Sequence, residues 1–563
     1  MRKVQKTTNY FLPIYLVIIG SLLCTSLKAQ EQQADTLKPI SNFKSWYQNL
    51  LPTPYDGPKN KLRIPMAVGY YDFDDNIRDL QLLGKLQPEQ SLTIRPYILT
   101  PKLGYDSLLA MIDPEFENHG HLVERKHSDI QLLPINFLQK YNSHHPYGWN
   151  DGPLSFSKGY QFVGSGGVYL RLGNIHLTLR PEFFKTASEP YETSDRWGQR
   201  TSALSKLTFG QSSLRMDFGP ISVGASTQNL WLGPGRYSSL LMSNNAPGFN
   251  HFSIETNRPL KTPIGSFEIK IIGGTLFNNK NQNFENGNLK LTGVYGITSF
   301  EKYLSSISVS YSPLFFKNFY LTANRAFTLP TQEKPSSKLT DYYLIALKPL
   351  FRNAYQDNSL PIDQVLSGSA KYVFPKEHAE VYFEYGWNDG KSNSRDLILD
   401  IAHSAASTFG LKKLQNLNNN SYLIIDMEST YMTQKPSYLQ RNAGNWYVHE
   451  NGGYINENQI LGAGSGWGNN LQTFNISWNK GWTKYGIKFQ HIAHDPIGVT
   501  EVLSYNGGLS YWNDYSYGIQ LKQKYNHFLF NMNMEWVNSK NYLWQNNNKA
   551  SNVYVFLNTI YLW

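Results

Sequence analysis

From about residue 129 to its end, the chain divides into strand-length segments whose connections are by turns long and short. Eighteen such segments begin near residues 130, 159, 175, 207, 221, 250, 266, 302, 318, 366, 379, 401, 421, 471, 484, 515, 528 and 552. Odd-to-even connections are long, at about 142–158, 185–206, 229–249, 276–301, 328–365, 388–400, 433–470, 492–514 and 539–551. Even-to-odd connections run from two residues, as at Gly173-Asn174, Gly219-Pro220 and Asn526-His527, to about seven at Pro259 to Gly265. A sandwich or propeller has no reason to sort its loops this way. A transmembrane barrel does, because its periplasmic turns are short, its extracellular loops long and its strand number even. The fold expected is therefore all-β, an antiparallel transmembrane β-barrel of about 18 strands, with both barrel ends in the periplasm.

The segments carry the period-2 patterning this requires. Val168-Tyr169-Leu170-Arg171-Leu172 alternates, turns at Gly173-Asn174 and resumes as Ile175-His176-Leu177-Thr178-Leu179-Arg180. Phe528, Phe530, Met532, Met534 and Trp536 share one face, and the chain closes on Val553 to Trp563 with the terminal aromatic that barrel-insertion machinery accepts. Composition agrees: 14% aromatic and only 17% charged residues, against about 25% charged in soluble domains, with a mean hydropathy of -0.44 that excludes a bundle of membrane helices. The aromatics also exclude disorder.

The N-terminus reads as a signal peptide over residues 1–29. Arg2, Lys3 and Lys6 precede the apolar run Phe11 to Cys24, too short to span a bilayer, and cleavage is expected after Ala29. Removing this segment lowers the formal net charge from +10 to about +6. With no basic run interleaved with aromatics, nucleic acid is not an expected partner. Cys24 is the only cysteine, so no disulfide framework, thiolate metal site or cofactor is expected. Residues 30–128 break the alternation and form a periplasmic N-terminal segment that caps or plugs the barrel of residues 129–563. Short helices are expected at Phe43 to Leu51, after Asp74-Asp75 (Ile77, Leu80, Leu83, Leu86) and at Tyr105 to Ile112, with Ser91 to Ile98 extended.

The long loops concentrate Trp and Tyr beside Asn, Asp, Arg and His. One holds Asn142 to Gly152, with His144-His145, and another Trp231 to Tyr237 followed by Ser243 to Gly248. The sixth follows Trp387-Asn388-Asp389-Gly390 and includes Arg395-Asp396, while the seventh holds Trp446-Tyr447-Val448-His449 and Gly462 to Gly468. Aromatic faces cover the C–H face of a sugar, amides pair its hydroxyls, and an Arg grips a carboxylate or phosphate. The same residues serve equally as interfacial girdle and turn formers. Glu384, Asp396 and His403 are the acid and base a surface hydrolase would need, but no Gly-x-Ser-x-Gly nucleophile accompanies them. Gly164-Ser165-Gly166-Gly167 is followed by no helix and is no phosphate cradle.

The stretch Asn229-Leu230-Trp231-Leu232-Gly233-Pro234-Gly235, continuing through Ser243-Asn244-Asn245-Ala246-Pro247-Gly248, resembles the Trp-x-Gly-Pro-Gly and Ser-Asn-Asn-Ala-type segments of the Wzi-type capsule-assembly family. Glu380 to Gly386 with Asn388-Asp389 and Arg395 to Leu399, and Trp446 to His449 with Gly453-Tyr454 and Gln459 to Ala463, add further blocks, and Asn142 to Gly152 looks typical of Bacteroidetes-like members. Leu232 departs from members that carry a second Trp there, and Asp400 to Ser404 is a looser match. The resemblance implies a non-enzymatic outer-membrane lectin that binds exported capsular polysaccharide and helps attach or organise it at the cell surface. Outer-membrane lipids, lipopolysaccharide and the barrel-insertion machinery would be its other partners. Trp231, Arg236, Tyr237, Asn244, Asn245, Trp387, Arg395, Trp446 and His449 are the candidate ligand-binding residues. A porin or transporter for oligosaccharides or lipophiles is the alternative.

Overall fold

The computed structural model describes residues 67–69, 73–86, 90–98, 105–113, 122–125, 128–192, 203–278, 301–332, 343–347, 362–388, 401–417, 420–434, 446–447, 453–495 and 510–563. The expected signal peptide and the helix expected at Phe43 to Leu51 lie outside them. Among the described residues no helix is long and apolar enough to cross a membrane.

Eighteen antiparallel staves close a barrel. They are β1 (Ser128–Asn142), β2 (Gly159–Leu172), β3 (Ile175–Leu179 and Glu182–Lys185), β4 (Ser205–Thr208 and Ser213–Phe218), β5 (Ile221–Ser226), β6 (His251–Thr256 and Leu260–Thr262), β7 (Gly265–Phe277), β8 (Glu301–Pro313) and β9 (Phe319–Pro330). The second half comprises β10 (Asp363–Phe374), β11 (Ala379–Trp387), β12 (Ala405–Asn416), β13 (Tyr422–Tyr431), β14 (Asn470–Lys480), β15 (Thr483–Ala493), β16 (Asn513–Tyr525), β17 (Phe528–Lys540) and β18 (Lys549–Tyr561). Closure is between β18 and β1, from Tyr554↔Asn142 to Tyr561↔Ile135. The tight turns sit where a left-handed φ is tolerated, at Gly173, Gly219, Gly481 and Asn526.

Three details differ from expectation. The turn expected over Pro259 to Gly265 is shorter, because Leu260–Thr262 pairs with β7. Residues 401–404, read as the start of a strand, form a turn before β12. Staves β3 and β4 are each interrupted, and at this level Gly167 of β2 has the Leu179 carbonyl 2.0 Å from where a Cβ would lie. That close backbone approach is what the glycine permits.

The wall is apolar outside and polar inside, the inverse of a soluble core. On β17, Phe528, Phe530, Met534 and Trp536 are exposed, as are Ile487 of β15 and Ile519 of β16. Inward positions carry buried Lys371, Glu380, Glu384, Lys412, Asp426, Glu428 and Glu535. Ile519 pairs with Ile487 on one side and Met534 on the other, midway along its strand. Replacing it by Arg is expected to cost about 2–4 kcal/mol, the usual penalty for a cation at bilayer mid-depth. Urea unfolding in lipid vesicles, followed by the loss of heat-modifiable mobility, measures it.

Two of those inward charges, Glu380 and Lys412, are paired by a plug. Helix α1 (Phe73–Leu82) and helix α2 (Tyr105–Ile112) pack together, with Phe73, Ile77, Leu80, Leu108, Leu109 and Ile112 in one cluster with Trp482, Leu529, Ile560 and Leu562. This places the helices at the short-turn end. From α1, Arg78 bonds Glu380 of β11 and Asp79 pairs with Lys412 of β12. The extended segment that follows reaches Glu268 of β7 through Ser91 and Thr322 of β9 through Thr93. On the opposite wall, Lys522 of β16 donates to Asn76 at 3.2 Å. These partners span the barrel from β7 to β16, so the segment occupies the lumen.

Candidate functional site

The loop between β5 and β6 turns inward and meets the plug. Trp231–Leu232 pairs antiparallel with Ile94–Arg95, with Ile94 opposite Leu232 and Arg95 opposite Trp231. Pro234 and the flanking glycines make a tight tip whose backbone is read by charged groups on every side. The Gly235 carbonyl accepts from Arg95 at 2.8 Å and from Arg78 at 3.3 Å. Wall carboxylates take its amides: Glu428 accepts from Arg236 N at 2.6 Å and from Tyr237 N at 3.1 Å, and Glu384 accepts from Leu240 N at 3.2 Å.

Arg236 is the keystone of this tip. Its guanidinium donates to Asp75 of α1 at 2.5–3.0 Å through Nε and Nη2, and to Asp426 of β13 at 2.5 Å through Nη1. Tyr237 donates its hydroxyl to Asp426 at 2.5 Å. Burial opposes the charge of Arg236, but Asp426 and Asp75 outweigh it and hold its pKa well above the ordinary value. The same contest on Asp75 is won by Arg236 and Lys412, which pull its pKa below the usual carboxylate range. Asp74 has no such compensation. Burial dominates over Arg95, 3.7 Å away, and pushes its carboxyl up to about 7. Its proton therefore contributes stability that is fully present below pH 3.8 and is lost as pH rises through about 7. Asp74→Asn should flatten this part of the stability profile between pH 4 and 7, as measured by urea midpoints across that range.

Between this tip, the plug and staves β15 to β18 lies a cavity of about 230 Å³. Trp149, Asn150, Trp231, Arg236, Tyr237 and Asn244 line one side, and Lys484, Lys488, Gln490 and Glu535 the other. Asn150 donates to the Tyr237 carbonyl at 2.8 Å and Asn244 to the Asn150 carbonyl at 2.9 Å. Trp231 is 3% exposed, with the Arg95 guanidinium 4.9 Å from its ring. Three buried polar atoms of these lining residues, Trp231 Nε1, Asn150 Oδ1 and Asn244 Oδ1, have no hydrogen-bond partner among the described residues.

The lining combines aromatic rings, amides and a fixed cation. The family model described as "Capsule assembly protein Wzi" matches residues 143–482. The chain belongs to the Wzi capsule-assembly family. Among solved structures it is similar to Wzi of Escherichia coli, described as an outer-membrane, carbohydrate-binding β-barrel involved in group 1 capsule assembly. The identity is 13%, covering 89% of this chain and 100% of that one, with a TM-score of 0.60. More distant similarities include OprD of Pseudomonas aeruginosa (9% identity, 76% of this chain and 92% of that one, TM-score 0.36) and OccAB2 of Acinetobacter baumannii (8%, 76% and 97%, 0.39). A search of curated proteins found no match. This Wzi-family chain is an outer-membrane β-barrel.

Of the residues singled out from sequence, Trp231, Arg236, Tyr237 and Asn244 line the cavity. Arg395 and His449 lie outside the described residues. The expectation that Trp387, Trp446 and Asn245 share the same lining is corrected. Trp387 follows Phe383 and Tyr385 on the outward face of β11, with Nε1 donating to the Ile401 carbonyl at 2.8 Å, so it belongs to the interfacial girdle. Trp446 is fully buried and donates to the Ser404 carbonyl, and Asn245 is buried and donates to the Ile460 carbonyl. Both are packing residues of the loop cluster. Trp149 and Asn150 were the residues missed, although the Pro-Tyr-Gly-Trp-Asn-Asp-Gly run that holds them was visible. The wall residues Lys488, Gln490 and Glu535 gave no signal beyond their inward polar positions.

Proposed function

We propose that this chain is a non-enzymatic lectin that binds exported capsular polysaccharide through the lumenal cavity and holds or orders it at the cell surface. The observation that carries this reading is the lining of that cavity. Trp149, half-buried, offers a ring face, and Asn150, Tyr237 and Asn244 stand on the same wall with Lys488, Gln490 and Glu535 opposite. Family membership supports the capsule context, and the E. coli relative is itself described as carbohydrate-binding. Outer-membrane lipids are the natural partners of the apolar outer face, and lipopolysaccharide and the insertion machinery complete the proposed set. Glu384, once a candidate acid, accepts the Leu240 amide, which is a positioning role.

The test is binding of the native capsule polymer to purified protein. Trp149 is half-buried, makes an edge contact with Tyr147 at 5.5 Å and belongs to no ion pair, so its loss should leave the barrel folded. Trp149→Ala is expected to weaken binding about tenfold or more, the cost of losing one anchoring aromatic. Unchanged affinity in a variant with normal heat-modifiable mobility would sink the cavity as the glycan site. Unchanged cell-bound capsule in a deletion strain would sink the function itself.

A further inference from the structure

The outward face of staves β15 to β18 is layered by depth. At mid-height Ile487, Ile519, Met534 and Val555 stand in one row. Toward the long loops follow Phe489, Tyr517, Trp536 and Val553, then His491, Tyr515, Asn538 and Ser551, and last Ala493, Asn513, Lys540 and Lys549. Apolar chains, then rings, then polar groups, then cations is the order in which a leaflet passes from hydrocarbon to headgroup. The height agrees. From Met534 to Lys540 the strand covers about 20 Å at 3.4 Å per residue. With a tilt of about 40° that is roughly 15 Å along the membrane normal, just beyond the half-height of an apolar band about 25 Å tall.

The last row carries a pairing that needs a reason. Lys540 and Lys549 stand directly opposite each other across β17 and β18, and both are exposed. Cross-strand neighbours have Cβ atoms about 5 Å apart, and like charges so placed are destabilising. Among the described residues of these four staves they are the only lysines, arginines or acids on the outward face. The other end of the same face finishes in Tyr525, Phe528 and Tyr561, so its charge is confined to the outer side. The groups below the pair are held in place. Lys540 Nζ lies over the Tyr515 ring, 5.1 Å from its centroid, and that ring stacks on His491 at 4.8 Å. His491 Nε2 is 2.9 Å from Asn513 Oδ1, and Trp536 Nε1 donates to Ser551 Oγ at 2.6 Å.

We propose that this face is a binding site for a phosphorylated glycolipid of the outer leaflet, of the lipid A type, with a phosphate between Lys540 and Lys549. Its sugar would lie against Asn513 and Tyr515, and its acyl chains along Tyr517, Trp536, Ile519 and Met534. A phosphate bridging the two ammoniums turns one repulsion into two charge-assisted attractions, at a depth where the neighbouring hydrocarbon strengthens both. Tyr515 and Trp536, apolar in the ring and polar at the tip, suit the boundary between sugar and chain. The site gives a location to the lipopolysaccharide contact proposed above and rests on that reading, and it shares no residue with the lumenal cavity.

The probe is monophosphoryl lipid A, titrated onto the full chain in a neutral polyoxyethylene detergent and read by native mass spectrometry. Fully dephosphorylated lipid A should be retained about tenfold more weakly or worse, and phosphatidylglycerol, which has the phosphate without the sugars, about fivefold more weakly. Lys540→Gln combined with Lys549→Gln should weaken lipid A about tenfold. Lys540→Arg with Lys549→Arg should keep it, and Lys376→Gln, at an exposed short turn, should not alter it. Because the Gln pair relieves a repulsion, its urea midpoint without added lipid should be no lower than that of the wild type, which separates lost binding from lost fold. Equal retention of lipid A by the Gln pair and the wild type would overturn this site and leave the lipopolysaccharide reading standing. No retention of lipid A by the wild type would overturn both. Equal retention of the dephosphorylated form by the unsubstituted protein would overturn the phosphate grip, whether or not the variants fold. Equal retention of phosphatidylglycerol would overturn the glycolipid and point to a phospholipid instead.

Discussion

Replacing Arg236 by methionine is expected to destabilise the folded barrel by about 3–5 kcal/mol, the cost of breaking a buried ion pair from one side. The reason is the company Arg236 keeps. Asp75 and Asp426 both accept from it, and Glu428 takes its amide, so removing the guanidinium strands acids around one loop tip. The chain cannot discharge them by opening to water without also pulling the loop from the plug, because the tip carbonyl of Gly235 is held by Arg78 and Arg95. Two measurements check this. Urea unfolding gives the free energy, and planar-bilayer conductance reports whether the loop leaves the lumen, with a rise from near-closed to a resolvable step expected. Adding Asp75→Asn and Asp426→Asn to Arg236→Met should recover much of the loss. Recovery of stability with no rise in conductance in the single variant would show that the loop is held by other means.

The same substitution bears on glycan binding, and the two effects separate. Arg236 lines the lumenal cavity, but all its strong donors are already committed to protein carboxylates. Its contribution to a sugar is thus to fix Tyr237 and the loop, and an anionic grip by Arg236 is not part of the proposed site. Trp149→Ala, by contrast, should lose polymer at unchanged stability.

How much of this was legible can be judged from particular residues. Loop lengths and alternation placed the staves because both follow from a bilayer of fixed thickness: an expected start at 379 is observed at Ala379, one at 528 at Phe528, and one at 484 at Thr483. The largest error was at β12, expected near 401 and beginning at Ala405. Residues 401–404 instead offer their carbonyls to side chains from other elements, Trp387 and Tyr385 at Ile401 and Trp446 at Ser404, which hold them as a turn. Propensity cannot see such bonds. The site was half legible for a related reason. The Trp-Leu-Gly-Pro-Gly tip announced a special loop, yet its direction depends on Glu384, Glu428 and Asp426, inward residues of staves more than a hundred positions away. Period-2 patterning says which face such a residue takes, and in a barrel that face holds either water or protein.

The second large effect concerns the plug. Glu380 stands between two buried cations, bonding Arg78 of α1 on one oxygen and Lys371 of β10 at 3.1 Å on the other. Arg78 and Glu380 are 1% and 0% exposed. Glu380→Gln keeps the shape and removes the charge, leaving two cations facing each other in a low-dielectric site. The expected loss is again about 3–5 kcal/mol. It should localise differently from that at Arg236, because α1 also pairs through Asp79 with Lys412 while the barrel staves keep their backbone ladders. Amide hydrogen exchange should show faster exchange over residues 73–82, with β11 and β12 still protected. Combining Glu380→Leu with Arg78→Met and Lys371→Met replaces all three charges by apolar groups, and such replacements are often neutral or stabilising. If that triple variant recovers wild-type stability, the trio serves to register the plug in the lumen. A triple variant as unstable as Glu380→Gln, with exchange accelerated equally in β11, would show instead that Glu380 supports the wall itself and that α1 is held by its apolar contacts with α2 and Trp482.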